Sequence, residues 1–201
     1  MVCTNNVSEM TVLAVENPVR RHMPISVELY HYMAEKGMFE PDERVELIDG
    51  EIFTMSPVGS LHVRCVNFLT RTLSRMLGDE YLVSVQNPIV SSNDTEPQPD
   101  VTILLSNSDL FKNQLPTGND TVIVIEVADT SASFDRNRKF PKYAQAGIPE
   151  AWLIDLKRDV VEIHSDPGSH GYGVVQTFRR GERAASKRIE TIDLSVDEIL
   201  G

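Results

Sequence analysis

Cysteine is nearly absent from this chain: Cys3 and Cys65 are the only two in 201 residues. One lies in the N-terminal stretch and the other in a helical pattern, which is neither a disulfide framework nor the spacing of a thiolate metal site. Both are read as reduced and without a catalytic role. Long apolar runs are missing too. None approaches the roughly 20 residues that cross a bilayer, and the first 22 residues show no basic start followed by an apolar stretch, so no signal peptide is expected. The cytoplasm is the default location, and a membrane is excluded as a partner. Basic charge is scarce: 19 Lys and Arg against 30 Asp and Glu leave a net charge of −11, which argues against nonspecific coating of nucleic acid. The cations that exist are gathered, at Arg136, Arg138, Lys139 and Lys142 and again at Arg179, Arg180, Arg183, Lys187 and Arg188. A local patch can therefore still meet phosphate.

What is present reads as one globular domain. The composition, 41% apolar and 24% charged, is that of a folded chain with a full core. Residues 1–22 lack periodicity and are expected to form a flexible tail, leaving residues 23–201 as the domain. Ser26 offers an N-cap and Gly37 a stop for a first helix. Asp49-Gly50, between two alternating runs, signals a two-residue hairpin in which Ile48 faces Glu51 and Glu46 faces Phe53. A long amphipathic helix follows, with Leu61, Cys65, Phe68, Leu69, Leu73, Met76 and Leu77 on its apolar stripe. Three β-rich runs come next, "YLVSVQNPIV", "DVTILL" and "TVIVIEVAD", the last as apolar as a strand buried on both faces. A helix interrupted by Pro141, a hairpin around Lys157-Arg158-Asp159, a further strand and a final turn capped by Ser195 and Glu198 complete the order. Strands flanked by helices, with one strand–helix–strand crossover from Val122 to Leu156, predict an α/β (α+β) fold with a mixed central sheet covered on both faces.

Glu126 interrupts the most apolar run in the chain. An ionised carboxylate there costs several kcal/mol unless something compensates it, although a strand emerging into solvent would also explain it. Asp100 sits behind Pro99 at the mouth of the preceding strand, a place where proline is tolerated. Two carboxylates converging at neighbouring strand ends form a hard-oxygen site suited to magnesium.

The segments "ELIDGEI", "MSP", "PQPDV" and "IEV", the Asp135, Lys139, Tyr143 spacing and "AGIPEAWLID" together resemble the Uma family of restriction endonucleases, in the PD-(D/E)XK nuclease superfamily. The resemblance spans roughly residues 24 to 180. It implies a restriction-endonuclease-like core, a mixed four-stranded sheet between helices, with a divalent metal, Mg2+ or Mn2+ in its place, at Asp100, Glu126 and the carbonyl of Val127. The superfamily lysine normally lies two residues beyond the acidic one, where this chain has Ala128. Lys139 on the following helix matches the displaced lysine, with Lys142 as rival. If Lys139 faces the carboxylates, Arg136 and Lys142 are left to solvent or phosphate. Glu46 matches an additional acidic residue near the metal, and His62 matches a family histidine for which capping or packing stands equally open. Gln86 and Gln98 could bond a water or a phosphate. The activity implied is metal-dependent endonucleolytic hydrolysis of DNA, with DNA as partner and a homodimer left open. Two alternatives remain: a non-catalytic nuclease-fold protein that binds nucleic acid or a partner, and a metal-dependent hydrolase of a small phosphorylated substrate.

Overall fold

A computed structural model describes residues 23–106 and 112–201. The tail expected over residues 1–22, with Cys3, lies outside the described residues. Helix α1 (Val27–Glu35) is capped as its sequence dictates, Leu29 N–H donating to Ser26 Oγ at 3.2 Å. Strands β1 (Val45–Ile48) and β2 (Glu51–Thr54) pair in the expected register, Glu46 opposite Phe53 and Ile48 opposite Glu51. Both turn residues take positive φ, 54° at Asp49 and 72° at Gly50, the two-residue turn whose twist matches the flanking strands.

The body of the molecule is one six-stranded sheet in the order β3 (Tyr81–Val85), β4 (Val101–Leu105), β5 (Thr121–Ala128), β6 (Glu150–Asp155), β7 (Val160–Gly168), β8 (Gly171–Arg179). All neighbours are antiparallel except β5 and β6, which the helical crossover joins in parallel. The sheet is mixed, as predicted, but carries two strands beyond the four the resemblance implied.

Alternation along β5 divides the core. Ile123, Ile125 and Val127 pack under helix α2 (Ser60–Met76) with Cys65, Leu69 and Leu73. Val124 and Ala128 pack on the opposite face with Phe140, Tyr143 and Ile148. Cys65 is fully buried and its thiol is pushed up to about 12, first by burial and then by Asp100, which suits it to packing rather than chemistry. The short pair β9 (Arg183–Ala185) and β10 (Asp193–Ser195), which sequence patterning did not reveal, and helix α5 (Val196–Leu200) close the α2 side. Ser195 stands at the N-cap of α5, but its side chain makes no capping bond, so the expected capping box does not form.

The crossover helix is broken in the way Pro141 foreshadowed. Helix α3 (Ala132–Phe134) runs into a π-helical turn, Asp135–Lys139, and then into α4 (Phe140–Gln145), where Pro141 occupies the first turn. Proline lacks the N–H that a continuing α-helix would need, and a first-turn position spares that bond. The wider turn still brings Asp135, Lys139 and Tyr143 onto the sheet, all three buried.

Candidate active site

Asp100 is placed by the end of a ladder. Pairing between β4 and β5 stops at Val101 opposite Ile125, so the Val127 N–H lies beyond the last rung. Asp100 Oδ2 accepts that N–H at 2.9 Å and also lies 3.0 Å from His62 Nε2 on α2. Gln86 donates its side-chain amide to Asp100 Oδ1 at 3.4 Å, while the Gln86 N–H donates to the Asp100 carbonyl at 3.1 Å. His62 is thus a site residue that orients a carboxylate; its Nδ1 is buried with no partner among the described residues.

Glu126 does not emerge into solvent. It is 4% exposed and points from β5 toward the π turn. Tyr143 donates its hydroxyl to Glu126 Oε1 at 2.5 Å, and Lys139 Nζ donates to the same oxygen at 3.1 Å, which leaves Oε2 without a hydrogen-bond partner among the described residues. Lys139 Nζ also pairs with Glu46 Oε2 at 2.8 Å and lies 3.9 Å from Asp135 Oδ1. Glu46 in turn accepts the Gln98 N–H at 3.3 Å, and Asp135 accepts the Ser131 hydroxyl at 2.7 Å. Burial raises the Glu126 carboxyl to about 8; Lys139 opposes the rise, and Asp135, Asp100 and Glu46 add to it. Burial alone would depress the Lys139 ammonium, but Glu126, Glu46 and Asp135 outweigh it and hold the amine above its ordinary range. The lysine is fixed as a cation.

These groups line one cleft of about 400 Å3, walled by the Met55-Ser56-Pro57 segment and reached by both Asp100 and Glu126. Carboxylates predominate: Glu46, Asp100, Glu126, Asp129 and Asp135 face only Arg44 and Lys139 among the lining side chains of fixed positive charge. Among the described residues no three His, Cys, Asp or Glu side chains converge as a ready-made ligand set. Magnesium does not require one, since it keeps several waters and takes one or two carboxylates. An acid-rich cleft with a carboxylate oxygen left open on Glu126 fits that demand.

Ala128, the position of the superfamily lysine, is completely buried against the cluster of Phe140 and Tyr143, so helix packing fills that place and Lys139 enters from the helix. Its rival Lys142 is turned away, paired with Asp49 Oδ1 at 2.5 Å. The expectation that Arg136 and Lys142 face solvent or phosphate does not hold. Arg136 is pinned by Glu162 at 3.0 Å and Asp155 at 3.4 Å, because the π turn lays it over β6 and β7. Arg44, Asp129 and Ser131 line the cleft without having been singled out. Arg44 lies two positions before Glu46, and strand alternation carried that signal.

A mixed sheet between helices, with acidic side chains from adjacent strands and a buried lysine meeting in one cleft, defines a restriction-endonuclease-like protein of the α+β class. The chain belongs to the Uma2 family, described as "Putative restriction endonuclease", whose sequence profile matches residues 27–197. A Synechocystis sp. protein named "Uncharacterized protein sll1609" is 30% identical over 118 residues, covering 56% of this chain and 67% of its own. The crystal structure of "a putative nuclease belonging to DUF820" from Anabaena variabilis superposes with a TM-score of 0.63 at 15% identity, over 88% of this chain and 98% of that one. At that identity the likeness establishes the fold. No helix among the described residues is long and apolar enough to cross a membrane.

Proposed function

We propose that the chain is a magnesium-dependent endodeoxyribonuclease that hydrolyses phosphodiester bonds in DNA. The observation that carries this reading is Glu126, only 4% exposed yet lining a cleft that it shares with Asp100 and Lys139. Asp100, Glu126 and the carbonyl of Val127 would hold Mg2+, with Mn2+ as substitute. Such an ion, when bound, supplies the positive charge that polarises a scissile phosphate. His62 and Gln86 keep Asp100 oriented, and Tyr143 does the same for Glu126. Lys139 holds the Glu46 and Glu126 carboxylates in place and offers fixed positive charge where negative charge grows on the phosphorus oxygens. Incubation of the protein with single- and double-stranded DNA in Mg2+ or Mn2+ tests the reading. Cleavage is expected in either metal, and none in chelator or in Asp100→Asn. DNA left intact by the parent in both metals overturns it.

A second reading, a hydrolase of a small phosphorylated substrate, is supported by the fate of the basic clusters. Arg136, Arg138 and Lys142 are neutralised by Glu162, Glu51 and Asp49, and Arg180 and Arg183 by Asp159 and Asp193. Competition by a mononucleotide but not by duplex DNA would select it.

A further inference from the structure

Beside the catalytic cleft lies a second one of about 580 Å3, to which nothing above assigns a role. The two share a wall made of Arg44 and Gln98. Arg44 is exposed, and the partner of its guanidinium is neutral: Nη2 donates to Gln98 Oε1 at 3.2 Å. The other cations near the site are committed to carboxylates, Lys139 to Glu46 and Glu126 and Arg138 to Glu51. Among the described residues Arg44 is therefore the guanidinium at this boundary without a carboxylate partner, and its planar fork is suited to a phosphate.

The second cleft has an aromatic side. Phe39 and Tyr30 line it with ring centroids 5.6 Å apart, Phe39 half-buried and Tyr30 buried with its hydroxyl donated to the Val45 carbonyl. It also has amide edges, from Gln86 and Gln98, and three carboxylates, from Glu40, Glu43 and Glu96, of which Glu96 is engaged by His31 at 2.7 Å. Gln86 adopts φ 51°, a left-handed conformation that is uncommon for a side-chain-bearing residue and that clusters at functional sites. That backbone sets Gln86 between the two clefts, lining one and bonding Asp100 in the other. A ring face for stacking, amides for hydrogen bonding and an arginine at the border towards the catalytic carboxylates are the parts that recognise a nucleotide.

We propose that this second cleft holds the nucleobase adjoining the scissile phosphate, with Arg44 binding the phosphate between the clefts. The proposal rests on the phosphodiester reading above and adds a recognition subsite to it. Gln86 then couples recognition to chemistry, because a base that engages its amide also fixes the side chain that orients Asp100.

Titration calorimetry with the full chain in Mg2+ tests this, comparing dCMP with 2-deoxyribose 5-phosphate, which has the phosphate and lacks the base. The parent should bind dCMP about tenfold more tightly or better, the scale of one base stacked on an aromatic ring. Phe39→Leu keeps an apolar side chain and removes the stacking face, so the preference should vanish, whereas Phe39→Tyr should retain it. Arg44→Ala should weaken both ligands alike. Equal binding of the two ligands by the parent, no binding of either, or a preference that survives Phe39→Leu overturns the subsite. DNA cleavage by the same preparations separates the two ideas: cleavage without base preference removes the subsite and leaves the nuclease, and base preference without cleavage does the reverse.

Discussion

Replacing Glu126 by glutamine in metal-free protein should change how stability depends on pH. The folded carboxyl titrates at about 8 against 4.5 for the free side chain, burial being the main cause. The groups that face it are Lys139, which opposes the shift, the carboxylates of Asp135, Asp100 and Glu46, which enlarge it, and the Tyr143 hydroxyl, which donates to it. A group whose folded pKa is raised contributes stability that is complete below the unfolded value and is lost as pH climbs through the folded one. The window here runs from 4.5 to about 8. At about 1.4 kcal/mol per unit, the 3.5 units (8 − 4.5) set a ceiling of about 5 kcal/mol on the loss. Glu126→Gln preserves the shape and an acceptor for Tyr143 and removes the titration. Urea unfolding in chelator across this window should show the parent losing stability relative to the variant, with the variant more stable at the alkaline end. Parallel curves for the two proteins would refute the reasoning, since they would mean that Glu126 is no more desolvated when folded than when unfolded.

Lys139→Met should act in the opposite direction. It leaves Glu46, Glu126 and Asp135 buried without their common cation, and a broken buried pair costs about 3–5 kcal/mol. Urea midpoints in chelator should fall accordingly near neutral pH, and cleavage rates should fall with them; a variant as stable as the parent removes the lysine from the structural role assigned here. Glu162→Gln concerns the second ionic cluster. The Glu162 carboxyl is lowered to about 2, first by the His164 hydrogen bond and then, against the cost of burial, by Arg136. Its folded pKa is depressed, so its contribution is present above 4.5 and lost as pH falls through about 2, at most about 3.5 kcal/mol (4.5 − 2, at about 1.4 each) and less where solvent screens the pair. Thermal melts between those limits should show the parent falling steeply and the variant weakly, whereas equal slopes would count against the pairing.

The sequence alone determined those features whose cause lies within a few residues. Asp49-Gly50 names its own turn because adjacent positive φ values are cheap for Asp and Gly. The Val/Ile run of β5 names a buried strand, and Glu126 within it names a site. Pro141 names the break in the crossover helix. Family motifs carried Glu46, Lys139 and His62 to the site, though spacing did not. Tertiary structure decided what depends on register and on distant packing. The ladder between β4 and β5 ends at Ile125, two residues short of Val127, and only that places Asp100 on its N–H. The π turn decides that Lys139 reaches a glutamate 93 positions earlier (139 − 46) while Arg136 is spent on Glu162. Of the basic residues that read as phosphate patches, Arg136, Arg138, Lys139 and Lys142 are consumed by carboxylates of the hairpin, the sheet and the π turn, and Arg180 and Arg183 by Asp159 and Asp193. Charge is legible in a sequence, but its partner is not, because Coulomb attraction acts between positions in space and chain order leaves those positions open.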